Sequence, residues 1–113
     1  MKIAFTAKGT SWDSIIDARF GRTDYIVLYD EDSGTWSSVD NRDIEGVAHG
    51  AGPQTAQKLF DLAPDVTITG NGPGGNAATV LQKANLKIYV GAADMTIKQA
   101  YEAFKKGSLN LFE

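Results

Sequence analysis

The stretch VTITGNGPGGNAATVLQKANLKIYV, residues 66–90, decides the fold. Val66 and Ile68 flank Thr67 in the alternation of a strand. Ala77, Val80, Leu81 and Ala84 then recur at the spacing of one helical face, Asn85 can close that helix in a left-handed conformation, and Ile88 and Val90 resume a strand. Downstream, Thr96 with Gln99 forms a capping-box pattern, Ile97, Ala100, Tyr101 and Phe104 share one helical face, and Gly107 marks the exit. Strand, helix, strand, helix in this order predicts a right-handed parallel unit.

Upstream, Ala56, Leu59, Phe60 and Ala63 fall on one helical face between Gly52-Pro53 at the start and Pro64 as the stop. Lys2 to Ala7 and Tyr25 to Tyr29 read as strands. Asp32-Ser33-Gly34 is a turn signal, and Thr35 to Val39 is the return strand of an antiparallel hairpin. The sum is an α/β fold: a mixed five-stranded sheet, one antiparallel hairpin plus parallel strands, flanked by helices. With 113 residues and no break in composition, the chain reads as one domain over residues 1–113.

Composition narrows the function. No apolar run approaches the roughly 20 residues of a membrane span and no signal-peptide core follows Met1-Lys2-Ile3, so the expectation is a cytoplasmic protein without membrane contact. A net charge of −3, with basic residues scattered, argues against nucleic acid as a partner. Six carboxylates between Asp30 and Glu45 meet only Arg42, as on a solvated hairpin edge. The absence of cysteine removes disulfides, zinc knuckles and a thiolate-held iron–sulfur cluster, leaving His, carboxylates or a ligand's own atoms for any metal chemistry.

The carboxyl edge of an open α/β sheet is the usual place for a ligand. Here it collects His49-Gly50-Ala51-Gly52-Pro53, the one histidine directly before a helix start whose free N–H groups favour an anion. His49 is either a metal ligand there or a loop histidine bonded to a helix end or a carbonyl. Gly70-Asn71-Gly72-Pro73-Gly74-Gly75 fits the glycine pattern of a pyrophosphate loop, but Pro73 removes a donor and no acid closes the following strand. It is a structural turn, a backbone wall for another anion, or a phosphate site. Arg19 and Arg22 in Asp17-Ala18-Arg19-Phe20-Gly21-Arg22 suit oxyanion recognition by forked hydrogen bonds, or else a surface ion pair beside a Phe-Gly turn. Trp12 and Trp36 are expected in packing more than in ligand stacking.

The predicted topology resembles ribonuclease H-like folds, whose nucleases hold two metals on strand-borne carboxylates. Here the corresponding strands end in Thr6-Ala7 and Thr69-Gly70, and no nucleophile elbow or P-loop is present, so no enzyme is expected.

Ala18-Arg19-Phe20-Gly21-Arg22 with Tyr25, His49-Gly50-Ala51-Gly52 with Thr55-Ala56 and Leu59, Gly70 to Gly75, and Leu86-Lys87-Ile88-Tyr89-Val90 occur in an order and at separations that resemble the stand-alone dinitrogenase iron-molybdenum cofactor biosynthesis domains, of the NifX and NifB C-terminal kind. The likeness spans nearly the whole chain. It implies a ribonuclease H-like fold and a non-catalytic protein that binds or carries iron-molybdenum cofactor or its iron–sulfur precursor among cofactor-assembly proteins. It also implies His49 as the candidate ligand, with Arg19, Arg22, Gly50, Ala51, Gly52, Asn71, Gly72, Gly74 and Gly75 as the cradle of a negatively charged cluster. The chain departs from the family in lacking any cysteine, which argues against tight holding and leaves no tightly bound cofactor as the alternative. The alternative is an interaction or regulatory module that binds a protein partner or a nucleotide or phosphate at the same sheet edge. The sequence sets no oligomeric state.

Overall fold

The computed structural model describes residues 1–46, 50–81 and 86–112. His49, Ala84 and Asn85 lie outside the described residues. Six strands form one mixed sheet: β1 (Lys2–Ala7), β2 (Tyr25–Asp30), β3 (Thr35–Asp40), β4 (Val66–Ile68), β5 (Lys87–Val90) and β6 (Asn110–Leu111), in the order β3-β2-β1-β4-β5-β6. β1, β4 and β5 are parallel, β2 is antiparallel to both β1 and β3, and β6 is antiparallel to β5.

The sixth strand corrects the expected five. It is two residues long, too short for any period to register, and it is held by tertiary contacts: Phe112 N–H donates to Ile88 O at 2.8 Å. The Phe112 ring also packs on Gly72, where a Cβ would stand 2.1 Å from the ring.

Alternation along the strands sends side chains to two cores. Ile3, Phe5, Val27, Val66 and Ile68 face Ile97 and Ala100 of α3 (Ile97–Lys105). Ala4, Ile26 and Ile88 face Ala56 and Leu59 of α1 (Ala51–Leu62) and Ala77 and Leu81 of α2 (Gly75–Leu81). The sheet is thus the middle of three layers, as a sheet buried on both faces requires.

The capping box on α3 is present, with Thr96 Oγ1 accepting from Gln99 N–H at 3.1 Å and Gln99 Oε1 accepting from Thr96 N–H at 2.9 Å. On α1 the expected face is rotated. Ala51, Thr55, Ala56 and Leu59 are buried, Phe60 is 38% exposed, and Ala63 is the exposed left-handed cap that precedes Pro64. A threonine can take the inward position because its hydroxyl is satisfied: Thr55 Oγ1 donates to Gly21 O at 2.7 Å and accepts from Asn41 Nδ2 at 3.0 Å.

Candidate functional site

Two threonine hydroxyls meet at the carboxyl edge of the sheet, at the ends of β1 and β4. Thr6 Oγ1 lies 2.7 Å from Thr69 Oγ1 and 3.0 Å from Asp17 O, and all three residues are buried. This satisfied polar knot fastens the start of the loop that follows Ile16. Asp17 N–H donates to Thr6 O at 2.9 Å and Asn71 N–H to Ala18 O at 3.0 Å, so the arginine loop is tied to β1 and to the glycine-rich turn after β4.

Asp17 organises the rest of the loop. Its carboxylate, inaccessible to solvent, accepts from Arg19 N–H at 3.0 Å, Arg19 Nε at 3.1 Å, Arg19 Nη2 at 3.0 Å and Asp24 N–H at 3.2 Å. Burial pushes the Asp17 carboxyl up. The hydrogen bonds and charge of Arg19, with the Asp24 amide, outweigh burial and hold it below the ordinary carboxylate range. Arg19 is therefore locked in a fork, with Asp24 at 3.8 Å, while Nη1 remains uncommitted among the described residues. The ion pair beside a Phe-Gly turn is what the loop contains, and it also aims one arginine into a cleft.

That cleft, of about 420 Å³, is lined by Arg19, Arg22, the α1 start from Gly50 to Pro53, Gly74, Gly75, Gly21 and Ala77. The loop reaches α1 because Gly21 has no side chain: a Cβ there would stand 2.9 Å from Gly52 Cα. Phe20, 3% exposed, anchors the same turn in the core beneath α1. Arg22 Nη1 donates to Ile44 O at 3.5 Å, tying that side chain to the 3₁₀ turn Arg42–Gly46. Gly50, with φ of 80°, is the N-cap of α1 and supplies no side-chain hydrogen bond to it, so the first helical N–H groups keep their capacity for an acceptor.

Among the described residues the lining holds two guanidinium groups and no carboxylate, and five of those ten residues are glycines. Such a surface draws an anion and lets a rigid, bulky one approach main-chain donors. Of the residues singled out in the sequence, the structure brings together Arg19, Arg22, Gly50, Ala51, Gly52, Gly74 and Gly75. Asn71 and Gly72 stand apart: Asn71 bonds to Ala18, and Gly72 is covered by Phe112. Gly70 packs on Ala18, where a Cβ would lie 2.7 Å from its Cα. Two glycines of the apparent pyrophosphate pattern thus serve internal packing. Gly21, Pro53 and Ala77 join the lining without having been singled out as binding residues. Only Gly21 carried a signal, its place between the two arginines.

The model of the family described as dinitrogenase iron-molybdenum cofactor matches residues 1–107. This chain belongs to that family. Among solved structures similar to it, the apo form of the orange protein from Desulfovibrio gigas has a TM-score of 0.90 and 33% identity, over 98% of this chain and 92% of that one. A Thermotoga protein of the DUF35 family, described as a proposed NifB protein, has a TM-score of 0.81 and 32% identity, over 97% and 91% of the two chains. A Methanocaldococcus jannaschii protein described as a proposed dinitrogenase shares the fold, with a TM-score of 0.69 at 16% identity over 100% and 95%. Among proteins of curated function, none matches the chain. The family's description names an iron-molybdenum cofactor. Among the described residues no group of three His, Asp or Glu could hold a metal ion. The charges and main-chain donors of the described lining suit an anionic group held by charge and hydrogen bonds. No helix among the described residues is long and apolar enough to cross a membrane.

Proposed function

We propose that this family member is a non-catalytic carrier of iron-molybdenum cofactor or its iron–sulfur precursor, received in the glycine-walled cleft and passed between cofactor-assembly proteins in the cytoplasm. The observation that carries the reading is the lining itself: among the described residues, two arginines, no acid, and a main-chain wall at the start of α1. Arg19, held by Asp17, and Arg22 would face the cargo's negative charge, and the α1 amides would donate to its sulfides. His49 adjoins Gly50 in the chain and is the proposed protein ligand to the cargo's metal. The strand order β3-β2-β1-β4-β5, with β2 reversed, supports a ribonuclease H-like arrangement whose catalytic acids are replaced by Thr6 and Thr69.

The test is an anaerobic titration with isolated iron-molybdenum cofactor and with its iron–sulfur precursor, followed by native mass spectrometry and visible absorption. One cluster per chain is expected, with affinity lowered about tenfold by Arg22→Ala and the absorption band altered by His49→Ala. No complex with either cluster would overturn the carrier reading in favour of a regulatory or protein-binding module.

A further inference from the structure

The opposite face of the sheet carries a second cleft, of about 460 Å³, lined by Trp12, Asp13, Tyr29, Lys98, Tyr101 and Glu102. Its volume lies in the range of small-molecule sites, roughly 300 to 1,000 Å³. Three half-buried aromatic rings meet there at steep angles. Trp12 and Tyr29 are 5.1 Å apart at 73°, Trp12 and Tyr101 5.7 Å at 60°, and Tyr29 and Tyr101 5.7 Å at 87°. They come from a loop, from β2 and from α3, and helix-face packing alone does not require so many aromatic surfaces left half open.

The rings are fixed before any ligand arrives. Trp36 stacks on Trp12 with centroids 4.6 Å apart and donates from Nε1 to Thr10 O at 2.9 Å. Trp12 O accepts from Lys98 N–H at 3.0 Å, which pins the loop to the first turn of α3. Tyr101 donates its phenolic proton to Glu31, and that bond, with burial, pushes the phenol up to about 12, so the ring stays neutral. Lys105 Nζ, paired with the same Glu31 at 2.8 Å, lies 5.7 Å from the centroid of the Tyr101 ring, so this pair adds no net charge beside the cluster.

The rim is charged and unspent. Among the described residues the carboxylates of Asp13 and Glu102 have neither a hydrogen bond nor an ion pair, and the Lys98 ammonium has none either. Lys98 and Glu102 are four residues apart on α3 in the order that favours pairing least. Among the described residues, two carboxylates against one ammonium leave the rim one negative charge in excess, above aromatic faces that attract positive charge. We propose that this cleft binds a small organic cation, an amine or guanidinium carried on an apolar body, independently of the glycine-walled cleft.

The experiment uses three probes of similar size on the full chain: benzyltrimethylammonium, benzyl alcohol and phenylacetate, followed by ¹H–¹⁵N NMR and tryptophan fluorescence. The cation is expected to shift the Trp12 indole signal saturably and to bind at least about threefold more tightly than the alcohol, with phenylacetate weakest. Glu102→Gln, a solvent-facing change, should weaken the cation about two- to threefold and leave the alcohol unchanged, whereas Lys98→Gln should tighten the cation by a similar factor. Equal affinity for cation and alcohol, preference for phenylacetate, no saturable Trp12 shift, or shifts at Gly74 and Gly75 instead would each overturn the proposal.

Discussion

Replacing Asp17 with Asn keeps the shape of the side chain and removes its charge, so it isolates what the buried carboxylate does. Four donors converge on it, two from the Arg19 side chain and two from the main chain at Arg19 and Asp24. Hydrogen bonds to a charged partner are each worth about 1.5–3 kcal/mol, but Arg19 is 57% exposed and regains hydration when released, which discounts its share. The amide nitrogen of Asn would also confront donors on one side. The sum is a loss of about 2–3 kcal/mol at neutral pH, a fall in Tm of roughly 10 °C for a domain of this size. The carboxyl is held below its ordinary value of 3.8, so its contribution is complete above that value and disappears as pH falls through the lower, folded-state value. Urea titrations of native and Asp17→Asn chains between pH 7 and pH 2 should therefore show a constant gap above about pH 5 that closes in acid. A gap that did not depend on pH, or one below about 0.5 kcal/mol at pH 7, would refute the assignment of Asp17 as an ionised anchor.

Two further outcomes follow from packing. Thr67 Oγ1 is buried with no hydrogen-bond partner among the described residues, so Thr67→Val should raise stability by about 1 kcal/mol in denaturant titrations with unchanged slope; a loss would mean that the hydroxyl has a partner. Gly72→Ala places a methyl group where the Phe112 ring lies, and should cost about 1–2 kcal/mol. Hydrogen exchange should localise the effect to the Phe112 amide that bonds Ile88; unchanged protection there would show that the ring does not hold β6.

The parallel unit, the hairpin and the α3 cap were legible because each rests on a local pattern: Val66 and Ile68 about Thr67, the Asp32-Ser33-Gly34 turn, and Thr96 with Gln99. What escaped was set by distant partners. Thr55 faces inward only because Gly21 and Asn41 meet its hydroxyl, and that contact displaces Phe60 toward solvent. β6 exists because Phe112 finds Gly72 some 40 positions earlier in the chain. At the candidate site, the arginines and the α1 start were readable as residue types suited to an anion. That Asn71 and Gly72 lie outside the cleft was not, since a glycine that admits a ligand and a glycine that admits a ring look identical in sequence.

The glycine-walled cleft alters what mutagenesis can see. Half of its described lining offers no side chain to delete, so an alanine scan would trace the arginines and pass over the main chain that shapes the space. Among the described residues nothing lies within 4 Å of where a Cβ would stand on Gly74 or Gly75, which makes them places to add bulk. A surface of this kind is mapped in negative, by enlargement, and its tolerance for cargo of different girth is set by how few atoms the chain has placed there.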